Sequence, residues 1–538
     1  MKFFTVVGFV EIWINQVQAN MAKASKSRAS KCQYVSPFQL PIQGFETPFS
    51  KSLDANNRWV ILARKIPWDN LANIYSKQLN NDFKGADGIN PRVVIGALMI
   101  KHLRNLSDRE TISAIQENIY MQYFIGYSSF SNEAPFDSSL FVDIRKRLGV
   151  TQINEINERI LQLNAVIQTD EGGTLSKPAN DTTDEPSVEE QANDADDKPL
   201  TQEQIEAIPR QGELIVDATA CPQDISYPTD LNLLNDAREK SEELIDALCM
   251  GRKEIVKPRT YREIARKQYL QVAQKKNKTK QEIRAAIKKQ LACLQRNLKN
   301  IHRLIAQMGK IPLSKKQYKY FLVIQTLYDQ QKEMHTKKTH SIDDRIVSIH
   351  QPHVRPIVRG KSNAKVEFGA KIDVSITNGY AFLEEYSWDA YNEGVTLLAT
   401  VERYRKRTGC YPKKVFADKI YCNRANRKRL KELKIDLAAK PLGRPPKAME
   451  PSHIRPGDRN PIEGKFGQAK TAYGLGRVKA RLSNTSLSWI ATIIMVLNLV
   501  KLTGRVLYCL IHKIIVRLRV AEKNIWLDNF AKLRIRLT

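Results

Sequence analysis

Three acidic residues, widely separated in the chain, are of the type and in the settings that phosphodiester chemistry needs. Asp217 follows the apolar run "ELIV", Asp418 follows "KKVFA", and Glu463 is the lone acid in the basic stretch "RNPIEGKFGQAK" (459–470). Short runs of this kind predict strands. If the two strands are neighbours, both aspartates emerge at one edge of a sheet. At 3.6 residues per turn, Arg459, Glu463 and Lys470 share one helix face, and Ile462, Phe466, Ala469 and Tyr473 make the adjoining apolar stripe that would dock the helix. Three carboxylates held together raise one another's pKa unless a cation joins them. Hard oxygen ligands suit Mg²⁺ or Mn²⁺. Two such ions about 3.5–4 Å apart activate a water or a 3′-hydroxyl and stabilise the leaving oxygen. Arg459 and Lys470 would grip the phosphate backbone beside the scissile bond.

Taken singly, each acid has an ordinary explanation. Glu463 is an i, i+4 partner for Arg459 on a solvated face, the aspartates are polar residues ending strands, and Asp224, Asp230 and Asp236 compete for the first role. Only the joint arrangement points to a metal centre. Gly464 and Gly467 each weaken a helix by up to about 1 kcal/mol against alanine, which predicts that something approaches this backbone closely.

The elements that must position these groups follow from the rest of the chain. Its 538 residues, 42% hydrophobic, are enough for two or three domains with cores. The net charge of +29 calls for a polyanionic partner, nucleic acid before an anionic membrane. Seven scattered cysteines without a CxxC pair argue against a disulfide framework or structural zinc. Glu11 interrupts the apolar start, no small-residue cleavage site follows, and Met21 is the expected true start. The apolar run after Trp489 is broken by Lys501, Arg505, His512 and Lys513, short of the roughly 18–20 residues of a membrane span. It is read as buried helix, in a soluble protein with no membrane partner.

The organisation is expected as follows. Residues 1–48 form a partly disordered extension and 49–168 a helical domain. In the latter Pro91 opens one helix and Ser107 with Glu110 caps the next, either as a helix-turn-helix unit or as a small bundle. Residues 169–210 are an acidic linker, too poor in apolar groups to fold. Residues 211–240 begin an α/β core, 241–345 are a basic helical insertion, 346–500 complete the core, and 501–538 are a helical tail. Within the insertion Ile287, Leu291, Leu294, Leu298, Ile301, Ile305 and Met308 form a heptad seam, expected to pack as a helical hairpin. Asn378-Gly379 between two alternating runs predicts a β-hairpin. The order of elements gives a mixed sheet with helices on its faces.

The runs "LIVDATACPQDISYPTDLNLLNDAR", "RIVSIHQPHVRPIVRGKSNAKVEFGAK", "VFADKIYCNRANRK", "PLGRPPK" and "RNPIEGKFGQAKTAYGLGRVKARL" together resemble the DDE-type transposases of bacterial insertion sequences, close to the group named after insertion sequence five, over about residues 49–500. The resemblance implies an RNase H-like catalytic core with Asp217, Asp418 and Glu463 as the metal-binding triad. Arg459, Glu463 and Lys470 match a tyrosine–arginine–glutamate–lysine family motif, with Pro456 in place of the tyrosine. Ile420 stands where related families often have glycine, and the insertion falls after the first aspartate's strand. The implied reaction is hydrolysis at the element's ends followed by in-line attack of the 3′-hydroxyls on target DNA. The implied partners are double-stranded DNA, as terminal inverted repeats and as target, bound by a homodimer in the bacterial cytoplasm. A related nuclease without strand transfer and a non-catalytic, domesticated DNA-binding protein are the alternatives.

Further DNA contacts are expected from the basic run Arg355, Arg359, Lys361, Lys365 and Lys371, from Arg424, Arg427, Lys428 and Arg429, and more weakly from Arg104 and Arg109. His350 and His353 have HxxH spacing but lack a second ligand pair, so a structural or DNA-facing role is expected before zinc.

Overall fold

The computed structural model describes residues 52–79, 88–170, 202–252, 254–309, 311–358, 366–438 and 457–503. The amino-terminal extension, most of the acidic linker, Arg359, Lys361, Lys365, Pro456, the "PLGRPPK" loop and residues beyond 503 lie outside them. The chain divides into two compact units, one of residues 1–196 with 491–538 and one of residues 197–490.

The first unit is helical. Pro91 occupies the first position of the Pro91–Arg104 helix, and the Asn90 side chain accepts from the Arg92 N–H at 2.9 Å. That helix ends on Asn105 in the left-handed region, and the next begins on a complete capping box between Ser107 and Glu110. Every residue from Pro91 to His102 is buried, so the helix is the core of the unit and cannot present a reading face. Arg104 and Arg109, at its end and beyond the turn, are exposed. Asp108 accepts two hydrogen bonds from Arg145, both 2.9 Å, and lies 3.0 Å from Lys101 Nζ. Both cations are buried, and together they hold the Asp108 carboxyl below its ordinary pKa against the opposing effect of its own burial.

Strands β1 (Glu213–Pro222), β2 (Arg355–Val358), β3 (Val366–Thr377), β4 (Tyr380–Ser387), β5 (Lys414–Ala417) and β6 (Asp436–Ala438) form one mixed sheet in the second unit, in the order β2-β3-β1-β5-β6 with β4 also on β3. β3 runs antiparallel to β1, β2 and β4, whereas β5 is parallel to β1 and β6 to β5. Asn378 (φ 51°) and Gly379 (φ 77°) make the tight turn between β3 and β4 that their dipeptide predicts. Gly369 is required for a different reason. A Cβ there would stand 2.0 Å from the Cys221 carbonyl oxygen, so any side chain would push β3 off β1.

Between β1 and β2 lie four helices, Asp230–Cys249, Arg262–Ala273, Lys280–Met308 and Lys315–Lys337. Leu291, Leu294, Leu298 and Ile301 of the heptad seam are buried. They pack with Leu234, Ile245 and Leu248 of the first helix as well as with Phe321 and Ile324 of the last. The seam is therefore satisfied inside a helical bundle, where sequence periodicity alone suggested a two-helix hairpin. The Ser483–Thr503 helix is apolar and long enough to cross a membrane, but 83% of its apolar window is buried within the protein.

Replacing Asp108 by asparagine strands two buried cations without their counter-charge. Asp108→Asn is expected to destabilise the helical unit by about 3 kcal/mol, measured by urea unfolding of the full chain. A loss below about 1 kcal/mol, the range of exposed ion pairs, would show the cluster to be effectively solvated.

Candidate active site

The sheet register brings the two aspartates side by side. The parallel ladder between β1 and β5 ends at Val216 opposite Ala417, so Asp217 and Asp418 are the next residue on each chain. Asp217 does not end its strand as expected. β1 continues to Pro222 by pairing with β3, and only its partnership with β5 stops there. The expectation failed because "DATACP" lacks the large β-branched and aromatic residues that mark a strand, while antiparallel pairing with β3 keeps it extended. Asp217 is mostly buried and Asp418 about half exposed.

Glu463 lies in the first turn of the Asn460–Ala472 helix, which rests on β1 and β3 through Ile462, Phe466 and Ala469. Tyr473, the fourth residue of the predicted stripe, is half-buried at its end. Arg459 caps this helix and turns inward. Its Nη2 donates to Asp217 Oδ2 at 2.9 Å and its Nη1 to Asp418 Oδ1 at 3.0 Å. Glu463 is exposed, and its charge also acts on Arg459. Two of the three acids thus share one guanidinium, and Glu463, one helical turn on, acts on it through charge alone. Among the described residues no three His, Cys, Asp or Glu side chains are arranged to hold a metal ion directly.

The electrostatics follow from this geometry. Burial raises the Asp217 pKa, and Asp418 adds to the rise, while Arg459 and the Ala218 N–H oppose it. Burial works against the charge on Arg459 too, but Asp217 and Asp418 outweigh it and raise its pKa. Arg459 Nε is buried and finds no acceptor among the described residues.

Sequence reasoning missed the support beneath Asp418. Tyr421, three residues on, is fully buried and donates to Asp373 Oδ1 at 2.8 Å. Asp373 is fully buried on β3, opposite Ala218, and also accepts from Thr396. Asn426 fixes the same turn by donating to the Tyr421 and Gly394 carbonyls, both at 2.7 Å. The signal in the sequence was weak, because in "KIDVSI" Asp373 alternates with Ile372 and Val374 and shares the polar face with Lys371 and Ser375.

The remaining predicted residues are dispersed around the second unit. Lys470 Nζ is 3.9 Å from Glu367. Arg355 is on β2, its Nε 3.5 Å from Asp389, and Lys371 pairs with Glu393 at 2.8 Å. Arg424 and Lys428 are exposed on the Arg424–Glu432 helix, whereas Arg427 donates to the Cys422 carbonyl at 3.0 Å. Among the competing acids, Asp224 pairs with Arg477 and Asp230 with Arg345, and Asp236 is exposed on the Asp230–Cys249 helix. His350 Nδ1 is 2.9 Å from the Tyr320 hydroxyl, and the His353 ring stacks edge-on against Trp388 at 4.4 Å, so the HxxH pair serves two separate contacts.

Comparison with known proteins decides the family. A transposase domain model (DUF772) matches residues 47–147, and a transposase DDE domain model matches residues 415–500, which contain Asp418 and Glu463. The chain belongs to the DDE-type transposases of insertion sequences. The transposase is also 30% identical over 150 residues to the uncharacterized protein ORF8 in the nfe locus of Rhizobium meliloti, across 27% of its own length and 72% of that protein's. No solved structure matches it.

Two measurements follow for the transposase. Burial raises the Asp373 pKa to about 6, although hydrogen bonds from Thr396 and Tyr421 favour the charged form. A carboxyl raised above its unfolded value stabilises the fold at low pH, and that contribution is lost as pH rises through about 6. Relative to Asp373→Asn, the wild-type protein should lose about 3 kcal/mol between pH 4 and 7, at 1.36 kcal/mol per unit. A stability difference that does not change with pH would mean that Asp373 does not titrate in this range. A Cβ on Gly464 or Gly467 meets nothing within 4 Å, and both are exposed, so no protein atom requires glycine there. The double alanine variant should be more stable by up to about 2 kcal/mol and should bind duplex DNA more weakly. Higher stability with unchanged binding would remove the idea of a close approach at this face.

Proposed function

We propose that the transposase cleaves DNA at the ends of its insertion sequence and joins the exposed 3′-hydroxyls to target DNA, using Asp217, Asp418 and Glu463 on an RNase H-like core. The observation that carries this reading is the pairing of Asp217 and Asp418, from two neighbouring parallel strands, on the single cation Arg459, which begins the docked helix that bears Glu463. A mixed sheet with an antiparallel hairpin on one side of β1 and two parallel strands on the other supports the RNase H-like assignment.

Carboxylates are the donors that a hard divalent ion takes, and Asp217, Asp418 and Glu463 would hold it, although only the two aspartates lie together in this structure, on Arg459. Asp217 and Asp418 offer adjacent carboxylate oxygens to a positive charge, and half-exposed Asp418 with exposed Glu463 leaves that charge open to solvent and substrate. When bound, Mg²⁺ or Mn²⁺ supplies the Lewis acid for activating the attacking oxygen and stabilising the departing one. The chain's own residues do the rest. Tyr421, Asp373 and Asn426 fix the Asp418 turn, and the apolar stripe fixes the height of Glu463 above the strands. Arg459 and Lys470 orient the phosphate backbone. Terminal repeats and target are bound as duplex DNA by a homodimer, with the amino-terminal helical unit contributing Arg104 and Arg109.

The non-catalytic reading has one observation in its favour, namely that a permanent cation, Arg459, already neutralises both aspartates. Catalysis separates the two. Asp217→Asn, Asp418→Asn and Glu463→Gln should each lower Mg²⁺-dependent cleavage by more than the roughly 10–100-fold that loss of an outer-shell partner costs, with DNA binding largely kept. A variant that cuts at the normal rate removes its residue from the triad. Pre-cut ends incubated with target plasmid should yield joined product, and cleavage without joining would instead mark a nuclease.

A further inference from the structure

The positive charge of the chain is concentrated in the helical bundle inserted between β1 and β2. Residues 252–338 carry 24 Lys and Arg against five Asp and Glu, a net +19 out of +29 for the whole protein. No acid occurs from Ile283 to Tyr328, a span holding ten lysines and arginines. An ordinary solvated helix surface intersperses both signs, so solubility does not explain this segment.

Helix geometry organises the charge further. On the Lys280–Met308 helix the apolar seam takes one side, and Lys288, Lys289, Arg296, Lys299 and Arg303 fall within about 100° of one another on the other, at 100° per residue. Lys288, Lys289, Lys299 and Arg303 are exposed and face no carboxylate among the described residues. Arg296 is half-buried, donating to the Thr260 carbonyl at 2.9 Å and lying over the Tyr261 ring at 4.8 Å. A shallow concavity runs along this stripe, lined by Arg296, Lys299, Asn300 and Arg303. From Lys288 to Arg303 the helix rises about 22 Å, comparable to six or seven base pairs of duplex at about 3.4 Å each.

We infer that the exposed face of the Lys280–Met308 helix is a second duplex-DNA surface, separate from the candidate active site, which holds the sugar-phosphate backbone without reading sequence. Flexible lysines act on phosphates as point charges, carrying no base information. The choice of DNA over other polyanions rests on the transposase reading.

The test uses the full-length protein and a 40-base-pair duplex of arbitrary sequence, titrated at several salt concentrations. The variant Lys288→Gln/Lys289→Gln/Lys299→Gln/Arg303→Gln touches no buried position and should melt at the wild-type temperature. Its plot of log affinity against log salt should be shallower by about 3 to 4, at about 0.9 for each phosphate that is no longer neutralised. An unchanged slope and affinity, with wild type binding normally, overturns this surface while leaving the transposase reading intact. Failure of the wild-type protein to bind duplex at any salt concentration overturns both. Loss of binding to phosphatidylserine vesicles, with duplex binding unchanged, overturns it in favour of a lipid surface.

Discussion

Two carboxylates placed side by side by a parallel ladder repel each other, and everything around them is arranged to make that tolerable. Arg459 does so electrostatically, with one guanidinium hydrogen-bonded to Asp217 and Asp418 at once. The interaction ties together three elements from distant parts of the sequence: β1, the turn after β5, and the start of the Asn460–Ala472 helix. Because Arg459 is the cap of that helix, the same contact fixes where Glu463 begins its turn. A pair of this kind is costly to break on one side only, since the remaining partner stays partly desolvated and uncompensated.

The support around this contact is polar where a core would ordinarily be apolar. Asp373, Thr396 and Tyr421 form a buried hydrogen-bonded group behind the aspartates, and Asn426 ties the same turn to Gly394. Burying such groups is unfavourable unless each finds its partner. In return the Asp418 turn gains a fixed conformation that hydrophobic contacts, which are not directional, would not give. The site is therefore positioned by a network of directed bonds resting on a conventional hydrophobic sheet.

Much of this is legible in the amino-acid order because the signals are local. The Asn378-Gly379 turn, the Ser107–Glu110 capping box, Pro91 at a helix start, and the Ile462, Phe466, Ala469 stripe each depend on residues within a turn or two of one another. The neighbours of β1 follow from sequence only through chain order, and its continuation past Asp217 is hidden there because it depends on β3, far along the chain. Arg459 reads from sequence as a residue facing DNA. Spacing places it on a face with Glu463, but only the docked position of the helix turns its guanidinium towards the aspartates. Asp373 escapes notice for the same reason, since its partners Thr396 and Tyr421 come from separate elements. The heptad seam is correctly legible as a packing surface, yet one of its covering helices, Asp230–Cys249, is separated from it by a whole further helix.

That inserted bundle also bears on how the sheet is assembled. The register of Asp217 against Val374 joins positions 157 residues apart, a long loop to close for a flexible chain. Four helices packed on one another occupy most of that span. Once the bundle has folded, its two ends are held at a fixed separation, and β3 reaches β1 from a nearby start. A bundle packed in this way shortens the loop that the pairing of β3 with β1 has to close.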